Sequence, residues 1–371
     1  MHFTIFLLVT SIQTWNIAFG TRDIYNLPEN ISFSGILAFG DSMLDTGNNN
    51  HLPLTPVKSN FYPYGINLIL GKSPSGRFSN GKMLPDLLAQ NLNIGSGIVL
   101  PYLSPAITPE NLNNGLLSFA SAGTGYDALT TSYSSSISLV DQITNLEEFT
   151  NKLFRLLGNN NVTLSIFYHK ALVLVSAGVD DIINYFPTTE NSPPSPRSIQ
   201  YKFDDYTDLL AETSFNFVKN LFDKGIRRIG VLGVPPIGCF PAYRLSKNCN
   251  GDMNSAATLL NSKLSRKLAD LGAEKELSSA QIVFMDIYKD YMEIIQNQDT
   301  YGFDVISKAC CGIGNLDTPY LCKKVNATLC DVNKLQYLFW DGHHLTESGY
   351  GLLALKFFKK YLLKFTKPQY L

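Results

Sequence analysis

The 371-residue chain has almost no charge imbalance: 30 Lys and Arg stand against 31 Asp and Glu, and charged residues are only 16% of the total. Nucleic-acid surfaces and polybasic membrane patches need clustered Lys and Arg, so neither partner is expected. No stretch reaches 18 unbroken apolar residues, so no transmembrane segment is expected either. Histidine is scarce, with only His2, His51, His169, His343 and His344. Any reaction that needs an imidazole base has few places to find one. Cysteine is absent from the first 238 residues, and nowhere do H-E-x-x-H or paired C-x-x-C spacings occur. That leaves a metal site on Asp180, His343 and His344 as three scattered ligands without a motif. No G-x-S-x-G elbow surrounds Ser42, because position 44 is leucine, which argues against an α/β-hydrolase.

What is present points to an exported globular protein. Residues 1–20, "MHFTIFLLVTSIQTWNIAFG", hold an apolar stretch from Phe3 to Val9, no acidic residue, and Ala18 and Gly20 at the spacing a signal peptidase accepts. They read as a signal peptide rather than a buried helix, followed by one domain over 21–371. All six cysteines (Cys239, Cys249, Cys310, Cys311, Cys322 and Cys330) lie between 239 and 330, an even number suited to disulfides after export. Six allow 15 pairings. Cys239 with Cys249 is the most local, and the adjacent Cys310 and Cys311 must each reach elsewhere, with Cys322 and Cys330 available. The sequons at Asn30, Asn161 and Asn326 would carry glycans on an exported chain.

Five short apolar runs recur: "GILAFG" (35–40), "LLSFA" (116–120), "ALVLVSAG" (171–178), "RIGVLGV" (228–234) and "IVFMDI" (282–287). Their continuous hydrophobicity suits strands covered on both faces. Between them lie stretches of helical spacing, such as 206–226 with Leu210, Phe215, Val218, Leu221 and Phe222 as its apolar face and Gly225 as its stop. A last helix is expected over roughly Glu347 to Phe365. Alternation of strand and helix predicts a parallel sheet between helical layers. No repeat or low-complexity tract divides the chain, and "NSPPSPRS" (191–198) reads as a surface loop.

Ligands of open parallel sheets sit beyond the carboxyl ends of the strands. After the first run comes "GDSMLDTGNNN", with Ser42 where strand should give way to helix. It is placed either as a helix N-cap or as a nucleophile whose N–H faces developing negative charge. "LFWDGHHLTESGY" puts Asp341 three residues before His344, so one loop could supply a base and the carboxylate that orients it. After the second run, Gly123 and Gly125 in "SAGTGYD" let backbone approach a ligand, as an oxyanion donor must; as a dinucleotide fingerprint the run lacks its third glycine.

Taken in order, "FGDSMLDTGNNN", "NFYPYGI", "GRFSNGKMLPDLLA", "FASAGTGYD", "SAGVDD", "GVPPIGC", "ACCG" and "DGHHLTE" resemble the plant-type GDSL esterase/lipase family of the SGNH hydrolases, from about residue 34 to the C-terminus. The resemblance implies a three-layer α/β/α, flavodoxin-like fold with a five-stranded parallel sheet, and no cofactor. It implies ester chemistry with Ser42 as nucleophile, His344 as base and Asp341 as its orienter. The amides of Ser42 and Gly123 would be oxyanion donors. The family's third block reads G-x-N-D, and here Asp180 occupies the place of the oxyanion asparagine. Ser118 replaces a usual asparagine, and Leu345 a usual proline.

An ionised Asp180 cannot donate a hydrogen bond, whereas a protonated one can. Burial beside Asp181 would push its pKa up, while Asp181 itself is expected to cap the following helix. The leading expectation is a secreted ester hydrolase acting on a lipid, cutin-like, phenolic or acetylated-sugar ester, free or polymer-linked. Two alternatives stand beside it: an acyltransferase that passes the acyl group to an alcohol, and a pseudo-enzyme acting as a secreted binding protein. Retention of Ser42, Asp341 and His344 speaks against the last.

Overall fold

A computed structural model describes residues 32–68, 74–186, 193–244, 248–274, 277, 279–312, 322, 328–331 and 336–366. The expected signal peptide, Asn30 and Asn326 lie outside the described residues.

The central sheet is built from β1 (Ile36–Gly40), β2 (Leu100–Pro101), β3 (Leu116–Ser118), β4 (Leu172–Ser176), β5 (Arg228–Leu232) and β6 (Gln281–Met285), in the order β2-β3-β1-β4-β5-β6, every pair parallel. All five predicted runs are strands. The sheet has one strand more than the five expected, because Leu100 and Pro101 pair with Leu117 and Ser118 at the edge. Two residues carry no periodicity to read, and a proline is tolerated there because an edge strand has a side that needs no N–H.

Eleven helices occur among the described residues: Leu84–Asn91 (α1), Pro109–Asn114 (α2), Ala128–Ser134 (α3), Leu139–Leu156 (α4), Asn161–Lys170 (α5), Val179–Tyr185 (α6), Pro196–Gln200 (α7), Phe203–Asp223 (α8), Gly251–Ala273 (α9), Ile287–Gln296 (α10) and Glu347–Lys360 (α11). The central strands β1 and β4 are buried along their whole length, as a sheet covered on both faces requires. On one face Phe39 of β1 stacks on Phe119 at 4.9 Å and meets Phe217 of α8 at 5.9 Å, while Phe119 meets Phe149 of α4 at 5.9 Å. Helix α9 packs on α8 beside them, while α11 packs against both α1 and α10, and α1 also contacts β1. Truncating a ring such as Phe39 would cost about 3–5 kcal/mol through lost burial and the cavity left behind.

The apolar face of α8 is centred on Leu210, Phe217, Val218 and Leu221, with Phe215 and Phe222 at its margins rather than in its centre. Gly225, at φ +98°, ends it as expected. The final helix stops at Lys360, and Leu362–Phe365 continue as a short 3₁₀ turn that buries Phe365.

A second, smaller assembly precedes the C-terminal helix. Strand β7 (Val305–Ala309) pairs with β10 (Tyr337–Phe339), and β8 (Cys311–Gly312) pairs with β9 (Thr328–Leu329). The disulfides join Cys239 to Cys249, Cys310 to Cys330 and Cys311 to Cys322. The N–H groups of Cys310 and Cys311 donate to the carbonyls of Phe339 and Trp340 at 3.0 and 2.7 Å. The cystine pair therefore anchors the strand that leads into Asp341.

Candidate active site

Strand β1 ends at Gly40, with φ +112°, where a Cβ would stand 1.7 Å from the carbonyl oxygen of Ser176. Only glycine lets the chain leave the sheet so close to β4. Asp41 then donates its N–H to that same carbonyl at 2.8 Å, and one turn over residues 41–45 projects Ser42 upward. The helix expected after Ser42 does not form. Asp45 accepts from the N–H groups of Gly47 and Asn48 at 2.8 and 2.7 Å, which competes with helical hydrogen bonding, and α1 begins only at Leu84.

Ser42 and His344 are 302 residues apart in sequence, yet Ser42 Oγ lies 2.8 Å from His344 Nε2. The other ring nitrogen, Nδ1, is 2.9 Å from both oxygens of Asp341. Asp341 is fully buried, and its Oδ1 also accepts the N–H groups of His343 and His344 at 2.8 Å each. Burial alone would raise this carboxyl; the charge and hydrogen bond of His344 outweigh it and hold Asp341 below its usual value. The imidazole is thus fixed in one orientation with a permanent negative partner.

Tyr64 completes the set by donating its hydroxyl to Asp341 Oδ2 at 2.8 Å. Phe78 packs against the His344 ring at 5.0 Å. Neither was singled out from the residues, although both lie in the "NFYPYGI" and "GRFSNG" segments. Nearby, Ser79 donates to the Leu345 carbonyl and Asn80 accepts the Glu347 N–H, which ties "GRFSNG" to the histidine loop. Arg77 and Asp86 form a buried pair at 2.8 Å, and Asp86 also receives the N–H groups of Met83 and Val99. Leu345, where proline is usual, is fully buried and bridges to Phe339.

The run "DTGNNN" is a clamp. Asp45 Oδ2 accepts the Ala122 N–H at 3.0 Å; Asn48 donates to the carbonyls of Ser118 and Ala120, and Asn49 to those of Ala122 and Val57. Ser118, where asparagine is usual, donates to the Leu44 carbonyl at 2.7 Å. Together these bonds hold the loop after β3 against the loop that carries Ser42. Gly123 sits there at φ +91°, and a Cβ would come within 2.4 Å of Ser134 Oγ. Within the described residues no hydrogen bond takes up the N–H of Ser42 or of Gly123. Gly125 serves a different purpose from the one expected: a Cβ there would strike Asp181 at 2.2 Å, so its smallness admits a carboxylate rather than a ligand.

Strand β4 ends at Ser176, Gly178 caps α6, and Asp180 and Asp181 lie in the first turn of that helix. Asp181 does not cap its own helix. It is fully buried and accepts the N–H groups of Tyr126 and Asp127 at 2.7 and 3.1 Å, tying α6 to the Gly123 loop. Asp180 is partly exposed and has no hydrogen-bond partner among the described residues. Burial, with the charges of Asp41 and Asp181 added, pushes its carboxyl well above the usual range. Burial likewise raises Asp41 to about 7 and Asp181 to about 6.

These residues face one cleft of about 260 Å³, lined by Ser42, Gly123, Asp180, His343 and His344, with Pro56, Val57 and Tyr133 among its apolar walls. A serine hydroxyl bonded to an oriented imidazole, beside free N–H groups, is the arrangement acyl transfer needs. No helix among the described residues is long and apolar enough to cross a membrane.

The comparisons agree with this geometry. The family model of the GDSL-like Lipase/Acylhydrolase matches residues 36–357. GDSL esterase/lipase At1g20120 of Arabidopsis thaliana is 40% identical over 333 residues, covering 88% of this chain and 79% of its own. GDSL esterase/lipase EXL3 of the same plant is 39% identical over 345 residues, 91% of this chain and 90% of its own. A third relative, the anther-specific proline-rich protein APG, is 37% identical over 345 residues, 90% of this chain and 62% of its own. With a serine, histidine and aspartate joined at the carboxyl ends of a parallel sheet, and with the family model spanning nearly the whole domain, the chain belongs to the GDSL lipase/acylhydrolase family and is a carboxylic ester hydrolase.

Proposed function

We propose that the protein hydrolyses esters through an acyl-enzyme on Ser42. The observation that carries this reading is the unbroken hydrogen-bonded chain from Ser42 Oγ through His344 to Asp341, open to the cleft at Ser42. His344 Nε2 takes the Ser42 proton as Oγ attacks the ester carbonyl, then gives it to the departing alcohol. Asp341 holds the ring and balances the imidazolium. The N–H groups of Ser42 and Gly123 receive the oxyanion, and Asp180 joins them as a protonated carboxyl that donates its O–H.

A fluorophosphonate probe tests the assignment: it should label the wild type and fail on Ser42→Ala, and labelling that survives the substitution overturns it. The substrate class is a lipid, cutin-like, phenolic or acetylated-sugar ester, supported by the apolar walls Pro56, Val57 and Tyr133 beside the polar floor. We further propose cleavage of the signal peptide 1–20, export of one domain over 21–371, and glycosylation at Asn30, Asn161 and Asn326. Asn161 is exposed at the start of α5, as an acceptor must be.

A further inference from the structure

We propose that a small chamber behind Ser42 and His344 seats the water that hydrolyses the acyl-enzyme, with Asp41, Asp180 and His343 as its positioning residues. The inference rests on the ester-hydrolase reading above and settles what the acyl group is passed to.

The chamber is separate from the front cleft but shares four walls with it: Ser42, Asp180, His343 and His344. The residue that carries the acyl group and the histidine that must take a proton both line it. Its volume is about 20 Å³. A cavity needs roughly 10–15 Å³ of room for water centres to hold one water. The chamber seats a single water and is too small for glycerol or a sugar. Val179, Pro235 and Phe240 close it with apolar surface.

A held water also needs about two to four polar partners, and this chamber offers them. Asp41 lines it and is 1% exposed; its Oδ1 accepts from the Met43 N–H and from Ser176 Oγ, both at 3.0 Å, while Oδ2 has no partner among the described residues. An unpaired buried carboxyl oxygen costs free energy unless a donor reaches it. Asp180 likewise has a carboxyl with no protein partner among the described residues. His343 is held by Tyr243, whose hydroxyl is 3.1 Å from its Nε2, and its ring faces His344 at 6.0 Å. Burial, then the charge of His344, lowers its pKa to about 4, so it is a neutral imidazole with one donor and one acceptor.

In the step itself, the water oxygen bonds to the acyl carbon while His344 Nε2 takes one of its protons. The intermediate collapses by breaking the bond between that carbon and Ser42 Oγ, and His344 returns the proton to Oγ. A carboxylic acid leaves, and the free enzyme is restored.

Two variants of the full-length protein test the seat with p-nitrophenyl butyrate, read by the pre-steady-state burst and by intact mass of the acyl-enzyme. Val179→Phe fills the chamber from a partly exposed position. Its burst should stay within about 3-fold of wild type while acyl-enzyme decay slows by at least ~10-fold, since misplacing a reacting group by about 1 Å can cost on the order of 100-fold. His343→Ala enlarges the chamber, and in the presence of 1-butanol it should form butyl butyrate that the wild type does not. Equal decay in wild type and Val179→Phe, or ready butyl ester formation by the wild type, overturns the water seat alone. Absence of any acyl-enzyme in the wild type overturns the ester reading and the seat with it.

Discussion

Replacing Asp180 by asparagine exchanges a carboxyl for an amide of the same shape at the position proposed to supply an oxyanion donor. The wild-type side chain can donate only while protonated, and its pKa is pushed up by burial and by Asp41 and Asp181. Tyr243 and His343 also face this region, and neither carries a positive charge at neutral pH that would draw the proton off. Losing one oxyanion donor costs about 10²- to 10³-fold in kcat. Wild-type activity should therefore fall about tenfold for each pH unit above the Asp180 pKa, down to that floor. The Asp180→Asn variant keeps its donor at every pH. The ratio of variant to wild type should be near 1 below the raised Asp180 pKa and climb with pH above it, with a ceiling of about 10²–10³. The wild type therefore loses activity on the alkaline side before the variant does. The assay is kcat/KM for p-nitrophenyl acetate and butyrate from pH 5 to 9, with folding of both proteins checked by circular dichroism. A ratio independent of pH, or a variant weaker than wild type throughout, refutes a protonated donor at position 180.

Tyr64→Phe removes one 2.8 Å hydrogen bond to Asp341 and should lower kcat by about 3- to 10-fold with KM unchanged, whereas Asp341→Asn, which loses the ring's charged partner, should cost about 10⁴-fold. Steady-state kinetics separates the two. Gly123→Ala forces a Cβ against Ser134 at a positive φ; thermal melts should show a loss of about 1–3 kcal/mol, with kcat falling as the loop shifts. The folded protein keeps protons on Asp41, Asp45 and Asp181, raised from 3.8 to about 7, 6 and 6, that the unfolded chain has released. Their contribution to stability is therefore lost as pH rises from about 4 to about 7, each by ~1.4 kcal/mol per pH unit across its window. His343, lowered from 6.5 to about 4, opposes only one of the three, so Tm should be higher near about pH 5 than at pH 8, and a Tm that climbs with pH would contradict the assignment. Reduction of the cystines should slow turnover by loosening Phe339 and Trp340, measured as kcat before and after dithiothreitol.

The sequence by itself determined the layered fold, because each central strand is an apolar run buried on both faces and such runs are local. It also marked Ser42, Asp341 and His344: only five histidines could serve as base, and one of them follows an aspartate by three positions. The sixth strand is not legible in the sequence because two residues have no period, and the lack of a helix after Ser42 is not legible because Asp45 turns its oxygens to distant and local N–H groups alike. Tyr64 reaches Asp341 across 277 positions, and Asn48 reaches Ser118 across 70. Asp181 takes its N–H partners from a loop 55 residues away, and Asp41 Oδ2 is buried with no partner among the described residues. Such roles depend on which groups the packed sheet brings within hydrogen-bond range and which it shuts away from water. Tertiary structure alone decided them, since burial and distance are properties of the assembled layers and not of any segment of chain.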